Sequence, residues 1–482
     1  MTALENFIGG QWVASKGTQT LAVRDPSTGT ELGRVPLGNE ADVADAVAAA
    51  KAAFPAWRRT PAAARARFLF SFRALLLEHQ QEIAEICSRE HGKTIAESLN
   101  DLGRGVENVE HACGMPALSM SQNLEDVSAG IDCNATRQPL GVFAAITPFN
   151  FPPMVPLWFL PYAIATGNTF VLKTSEQVPL TWMRMMRLLE QTGIPAGVVN
   201  LVHGGKEVVE GLCTHPDVEG VSFVGSTKVA RIVYELAGRH GKRVQALGGA
   251  KNHILIMPDA SMERSIANAS ASVFGCAGQR CLAGSVLVAV GDAYASVRAG
   301  IVKEAEQIVL GSGLDPETTM GPVISPESKA RIEAMIEVGV GEGAELLLDG
   351  RGATIPGSEG GYWLGPTIFD KVRPEMRIAQ EEIFGPVLCL MHAKDLDEAI
   401  EWTNASRYGN ASSIFTQSGA AAREFKYRVA PAMLGVNIGV AAPMAFFPFG
   451  GSKDSFFGDT KAHGPDAIDF YTDRKVVISR WF

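Results

Sequence analysis

The sequence predicts an α/β fold built on largely parallel sheet covered by helices. Three observations point there. From Gly141 onward, short apolar runs recur as GVFAAIT, NTFVLK, VVNLVH, VEGVSFVG, RVQAL and HILIM, with helical stretches between several of them, notably 180–192 and 227–240. The most apolar stretch, 151–166, carries Pro152, Pro153, Pro156 and Pro161, so it reads as buried and irregular and not as a membrane span. At 482 residues, 46% hydrophobic and 20% charged, the chain has the material for two or three domains with substantial cores.

Taken in order, residues 7–23 alternate weakly around Gly9-Gly10 and Lys16-Gly17 and read as a small hairpin region. A helix is expected over 40–58, with Asn39 as its cap and Val43, Val47 and Ala50 on one face. A second helix is expected from Thr60-Pro61, a cap followed by proline at the first helical position. Its Phe68, Phe72, Leu75 and Leu76 fall on one stripe. Further helices run to about Cys113. A second α/β region extends from about Leu247 to Asn437 and includes a surface helix near 326–338 and EEIFGPVLCL. The chain closes on FYTDRKVVISRWF, an alternating strand apolar enough to need a partner within the chain or in another subunit.

Composition excludes several functions. A net charge of −9 argues against nucleic-acid or anionic-membrane partners. The seven cysteines are scattered, odd in number and without CxxC, which suits a reducing compartment and a cytoplasmic location. The nine histidines show no HExxH or paired-ligand spacing, so no metal site is expected. The N-terminus has neither a signal-peptide core nor an Arg-rich transit pattern.

The chain is organised around FGCAGQRCLAGS, where Cys281 sits between a helical pattern (Met262, Ile266, Ala269, Val273) and the strand-like SVLVAV. Gly278 and Gly284 flank it and would let another molecule approach. On this stretch alone Cys281 reads either as a small buried hydrophobe or as a nucleophile. Ligands of parallel sheets bind at the carboxyl ends of strands. Those ends carry Thr147 to Asn150, Lys173 to Gln177, Gly225-Ser226 and Gly248 to Lys251. No GxGxxG occurs, so an ordinary dinucleotide fingerprint is absent.

Read together, TPFNFP, LKTSEQVPLT, FVGST, GGAK, GQRC, EEIFGPV and FPFGGSKDS resemble the aldehyde dehydrogenase superfamily across nearly the whole chain. GAKNH, AGQRC, VEHACG and the GDT…DFYTDRK…SRWF ending resemble its CoA-acylating methylmalonate-semialdehyde dehydrogenase branch. The departures are Leu247 and Gly248, where more polar or larger residues are expected, and TSEQ in place of a PSE pattern. The resemblance implies an aldehyde-dehydrogenase-like fold with a parallel-sheet cofactor domain (1–118 and 139–246). A catalytic domain (247–437) and a small β oligomerisation ribbon (119–138 and 438–482) complete it. It implies Cys281 as nucleophile and Asn150 with the Cys281 N–H as oxyanion donors. It also implies NAD held by Thr147, Phe149, Lys173, Glu176, Gln177, Ser226, Gly248 and Glu382, and a homotetramer.

Arg104 and Arg280 are expected to bind the far carboxylate of a short semialdehyde, because a guanidinium fork suits a carboxylate. Hydrolytic members use a Glu 34 residues ahead of the nucleophile to activate water. That position here is Leu247, so coenzyme A is the expected acyl acceptor. The alternatives are a hydrolytic NAD-dependent enzyme releasing a free acid and a catalytically silent binding protein on the same fold.

Overall fold

The computed structural model describes residues 3–482. Two sheets dominate it. The first has eight strands in the order Gln11–Val13, Asn6–Ile8, Val199–Leu201, Thr169–Lys173, Val142–Ile146, Val218–Val224, Arg243–Leu247 and Phe456–Gly458. Its five central strands are parallel, from Val199–Leu201 to Arg243–Leu247. Antiparallel partners close both edges. The second has seven strands, with Asn252–Ile256 and Gly284–Val290 paired in parallel at its centre. Strands buried on both faces explain why these runs are continuously apolar and do not alternate: Val142–Ile146 and Thr169–Lys173 are buried at every residue.

The expected helices are present. Glu40–Trp57 is capped by Asn39, whose side chain accepts from the N–H groups of Ala41 and Asp42, while Asp42 closes the capping box. Leu180–Gln191, Thr227–Arg239 and Pro326–Gly341 each bury one face. The proline-rich 151–166 stretch is buried as expected, but forms two short helices, Met154–Leu157 and Leu160–Thr166.

Two local expectations fail. Thr60 does not cap the second helix, Ala62–Glu78. Its hydroxyl donates back to the Ala56 carbonyl of the preceding helix, and Pro61 takes the cap position with no side-chain bond. The 7–23 region is not one hairpin. Asn6–Ile8 pairs with Gln11–Val13, while Gln19–Arg24 pairs with Glu31–Leu37 in a separate ribbon.

The C-terminal strand finds its partner within the chain. Thr472–Arg480 pairs antiparallel with Ile131–Pro139, which in turn pairs with Gln122–Ser128. This three-stranded ribbon leaves Leu124, Val476 and Ile478 exposed. No helix among the described residues is long and apolar enough to cross a membrane.

Candidate active site

Cys281 lies between the helix Met262–Phe274 and the strand Gly284–Val290, after a tight turn over Gly275–Gly278 in which Cys276 and Ala277 have φ of 51° and 52°. The flanking glycines serve the chain's own packing. A Cβ on Gly278 would stand 2.0 Å from the Gly385 carbonyl oxygen, and one on Gly284 would stand 2.1 Å from Ile254 Cδ1. Cys276 is buried, whereas Cys281 is partly exposed. Burial and then the charge of Glu382 push the Cys281 thiol up to about 12; its own N–H, that of Leu282 and the Arg280 charge act in the opposite direction.

The loop carrying Cys281 is held from beneath. Asn252 Nδ2 and Asn410 Nδ2 donate to the Cys281 carbonyl at 2.9 and 2.8 Å. Asn150 Nδ2 donates to the Gln279 carbonyl at 3.0 Å. An amide nitrogen carries two hydrogens, so the second N–H of Asn150 remains available to a further acceptor. The Asn150 main chain is pinned in turn: Lys93 Nζ donates to its carbonyl at 2.7 Å and to Asp101 at 2.8 Å. Asp101 also accepts from the Met154 N–H at 3.0 Å.

A cavity of about 190 Å³ opens beside Cys281, lined by Phe151, Met154, Trp158, Phe449 and His463 together with Arg104 and Arg280. The structure thus brings both expected arginines to the wall of the cavity holding the thiol, and both have internal partners. Arg280 donates to Glu97 at 3.0 Å and to Cys276 Sγ at 3.2 Å. Glu97 is itself shared with the N–H groups of Cys276 and Thr94. Arg104 donates to Glu107 at 2.7 Å and to the Pro443 carbonyl at 2.6 Å. Leu247 is buried in the core cluster that Cys281 and Leu282 also join.

The residues expected to hold a cofactor gather at the carboxyl ends of the first sheet's parallel strands. Lys173 and Glu176 form an ion pair at 2.8 Å. Burial alone would raise the Glu176 carboxyl, but the Lys173 ammonium outweighs it and holds it below the usual range. Gln177 follows in the same turn, its N–H donating to Ser175. Ser226 caps the helix Thr227–Arg239 with no side-chain hydrogen bond and stands exposed, so the positive end of that helix faces outward. The Thr147 N–H donates to the Lys173 carbonyl, and the Gly248 N–H to that of Ser455. Phe149 stands between His91 and Phe384, with ring centroids 6.0 and 5.8 Å away.

Glu382 accepts from the Ala250 N–H at 2.8 Å, and burial pushes its carboxyl up to about 7 despite that bond. Among the described residues no cluster of three or more His, Cys, Asp or Glu could hold a metal ion.

Sequence reasoning missed Lys93, Asp101, Glu97 and Asn410. Asn252 was visible within GAKNH, although nothing local showed what it bonds to.

The sequence profile of the aldehyde dehydrogenase family matches residues 12–477. Malonate-semialdehyde dehydrogenase 1 of Geobacillus kaustophilus (strain HTA426) is 49% identical over 480 residues, covering 100% of this chain and 98% of that protein. Malonate-semialdehyde dehydrogenase 2 of Geobacillus thermodenitrificans (strain NG80-2) is 50% identical over 477 residues, covering 99% of each. Among solved structures, the methylmalonate-semialdehyde dehydrogenase of Oceanimonas doudoroffii superposes with a TM-score of 0.98 at 43% identity, covering 100% of this chain and 99% of that one. A Sinorhizobium meliloti 1021 protein assigned the same activity and crystallised with NAD gives a TM-score of 0.98 at 43% identity, covering 100% of this chain and 98% of its own.

Proposed function

Because the chain belongs to the aldehyde dehydrogenase family, we propose that it oxidises malonate or methylmalonate semialdehyde with NAD and passes the acyl group to coenzyme A through a thioester on Cys281. The observation that carries this reading is the pairing of the Cys281 thiol with Arg104 and Arg280 on one cavity; a buried Leu247, 34 residues ahead of Cys281 where hydrolytic members carry a Glu, supports it. The names of the similar proteins support the substrate, and the NAD-bound neighbour supports the cofactor.

The Cys281 thiolate adds to the aldehyde carbon, and the oxygen becomes an alkoxide facing the second N–H of Asn150 and the Cys281 N–H. The Lys173–Glu176 pair, the open helix end at Ser226, and Thr147, Phe149, Gln177, Gly248 and Glu382 are the residues that would hold NAD. When bound, NAD supplies the hydride acceptor. As the tetrahedral carbon loses hydride, the alkoxide collapses to a carbonyl and leaves a thioester on Cys281. Arg104 and Arg280 hold the far carboxylate during this step.

The thiolate of coenzyme A then attacks the thioester, a new C–S bond forms, and the Cys281 thiolate leaves. Water without a base is a poor competitor, whereas a thiol of pKa ~8.5 is a few per cent thiolate near neutral pH. The β-carboxylate of the acyl chain departs as carbon dioxide, its electron pair is taken up by the thioester carbonyl as an enolate, and the α-carbon then takes a proton from solvent. The product is acetyl-CoA from malonate semialdehyde or propionyl-CoA from methylmalonate semialdehyde. A product assay with each semialdehyde tests the reading. Thioester in the presence of coenzyme A and no rapid free acid in its absence are expected.

One observation favours a second reading, hydrolysis. Glu382 is a buried carboxyl held near 7, close enough to influence the Cys281 thiol. Rapid release of free acid without coenzyme A, lost in Glu382→Gln, would establish that alternative.

We also infer a homotetramer assembled from dimers. The exposed Leu124 of the strand Gln122–Ser128, and Val476 and Ile478 of the strand Thr472–Arg480, support subunit contact at this ribbon.

A further inference from the structure

We propose that Asn252 and Asn410 are positioning residues that hold the Cys281–Leu282 peptide so that its N–H supports the anionic sulfur of Cys281. The inference rests on Cys281 being the nucleophile. Asn252 opens the strand Asn252–Ile256, and Asn410 immediately precedes the strand Ala411–Phe415. These strands are parallel neighbours, with His253 opposite Ser412, so their starting residues stand side by side under the nucleophile loop.

Asn252 uses both of its amide donors and accepts one bond on its oxygen. Nδ2 donates to the carbonyls of Cys281 and Ala283, each at 2.9 Å, and Oδ1 accepts from the Ala411 N–H at 3.0 Å. The last bond fixes which end of the amide faces the nucleophile. Asn410 Nδ2 supplies the second donor to the Cys281 carbonyl at 2.8 Å. A carbonyl oxygen has two lone pairs, so both are now filled.

The carbonyl of Cys281 and the N–H of Leu282 belong to one peptide group. Two donors on the oxygen draw electron density toward it and make the N–H a better donor, a cooperative gain of about 10–30% per bond. That N–H and the N–H of Cys281 are the two main-chain donors covalently nearest the sulfur, so strengthening the first acts there, and both pull the thiol down. Burial works strongly the other way, so the loop needs such support for the sulfur to attack at neutral pH. Both asparagines are neutral. They support the anion without adding a cation that would compete with the arginines for the substrate's carboxylate.

The test is the pH dependence of Cys281 carbamidomethylation by iodoacetamide in the free enzyme, located by peptide mass, for the parent, Asn410→Leu and Asn410→Asp. Thermal midpoint and NAD binding establish that each variant is folded. Asn410→Leu should move the alkylation midpoint up by about half to one pH unit, which is roughly three- to tenfold less thiolate at neutral pH. Asn410→Asp should move it further, since a carboxylate replaces a donor. Asn252→Ser carries the same test should Asn410→Leu not fold. Folded variants that alkylate with the parent's midpoint overturn the proposal. A Cys281→Ala enzyme that still forms NADH at the parent's rate would overturn the nucleophile reading itself.

Discussion

Lys93 Nζ donates to the main-chain carbonyl of Asn150 at 2.7 Å from a site where neither its side chain nor that of its partner Asp101 has any exposure. A buried ammonium is tolerated only when its charge and its hydrogens are matched. Asp101 matches the charge, and the face of Phe151, 4.4 Å away, lies over the same nitrogen. The peptide bearing Asn150, the proposed oxyanion donor, is therefore tied to a buried ion pair.

Lys93→Met leaves Asp101 unpaired and should cost about 3–5 kcal/mol of unfolding free energy in urea titration. The double variant Lys93→Met/Asp101→Leu should recover most of that stability. It should not recover the rate of the first NADH burst, roughly tenfold below the parent, because Asn150 has still lost its anchor. Full recovery of both would show that Lys93 acts on stability alone.

Cys281→Ala should abolish NADH formation, and Cys276→Ala should retain it. Cys276 is buried, and its sulfur accepts from Arg280 Nε at 3.2 Å, so its loss is felt in packing, about 1–2 kcal/mol by thermal unfolding. The reverse pattern of activity would exchange the two cysteines' roles.

Much of this site was legible in the sequence because its residues sit in short local patterns. GQRC places Cys281 at a turn between a helical and a strand-like stretch, and TPFN places Asn150 at a strand end. Asn410 was not legible. It reaches Cys281 only because two strands far apart in sequence pair in parallel. Lys93 was missed for the same reason, its partner Asn150 lying on a different element. Thr60 was misread because its hydroxyl donates to the Ala56 carbonyl behind it instead of accepting from the N–H groups ahead of it. The glycines around Cys281 were seen, but their neighbours are the chain's own backbone and Ile254.

Arg104→Leu should raise KM for the semialdehyde by about ten- to a hundredfold and leave neutral propanal nearly unaffected, the loss of one charged hydrogen-bonding partner. Arg280→Leu should raise KM for the semialdehyde and also lower kcat for both substrates, because the carboxylate loses one fork while Glu97, Cys276 and the turn lose their common partner. Equal losses for both substrates in Arg104→Leu would remove it from substrate recognition.

Glu382 gives a pH signature. Its carboxyl is raised by burial from an ordinary value of 4.5 to about 7. Between those values the folded protein holds a proton that the unfolded chain has released. Its contribution is thus fully present below pH 4.5 and is lost as pH rises through 7. Glu382→Gln should match the parent's stability at pH 4.5 and exceed it at pH 8 by on the order of 2 kcal/mol. The buried His203 and His253, lowered to about 4, act in the opposite direction over an overlapping range, so the difference between variant and parent is the quantity to read. A difference independent of pH would contradict the assignment.

Val476→Asp together with Ile478→Asp places charges on the exposed strand of the ribbon. Light scattering should show a fall in mass from tetramer toward dimer or monomer. A monomeric parent at micromolar concentration would refute the assembly altogether.

The absence of a carboxylate at Leu247 makes the fate of the thioester the central claim, and a single-turnover measurement reads it directly. The enzyme is mixed with NAD and a semialdehyde without coenzyme A, and the chain is followed by intact mass. One equivalent of NADH should form, an acyl adduct should persist on Cys281, and coenzyme A should discharge it at least a hundredfold faster than water. Discharge at the same rate with and without coenzyme A would contradict the account.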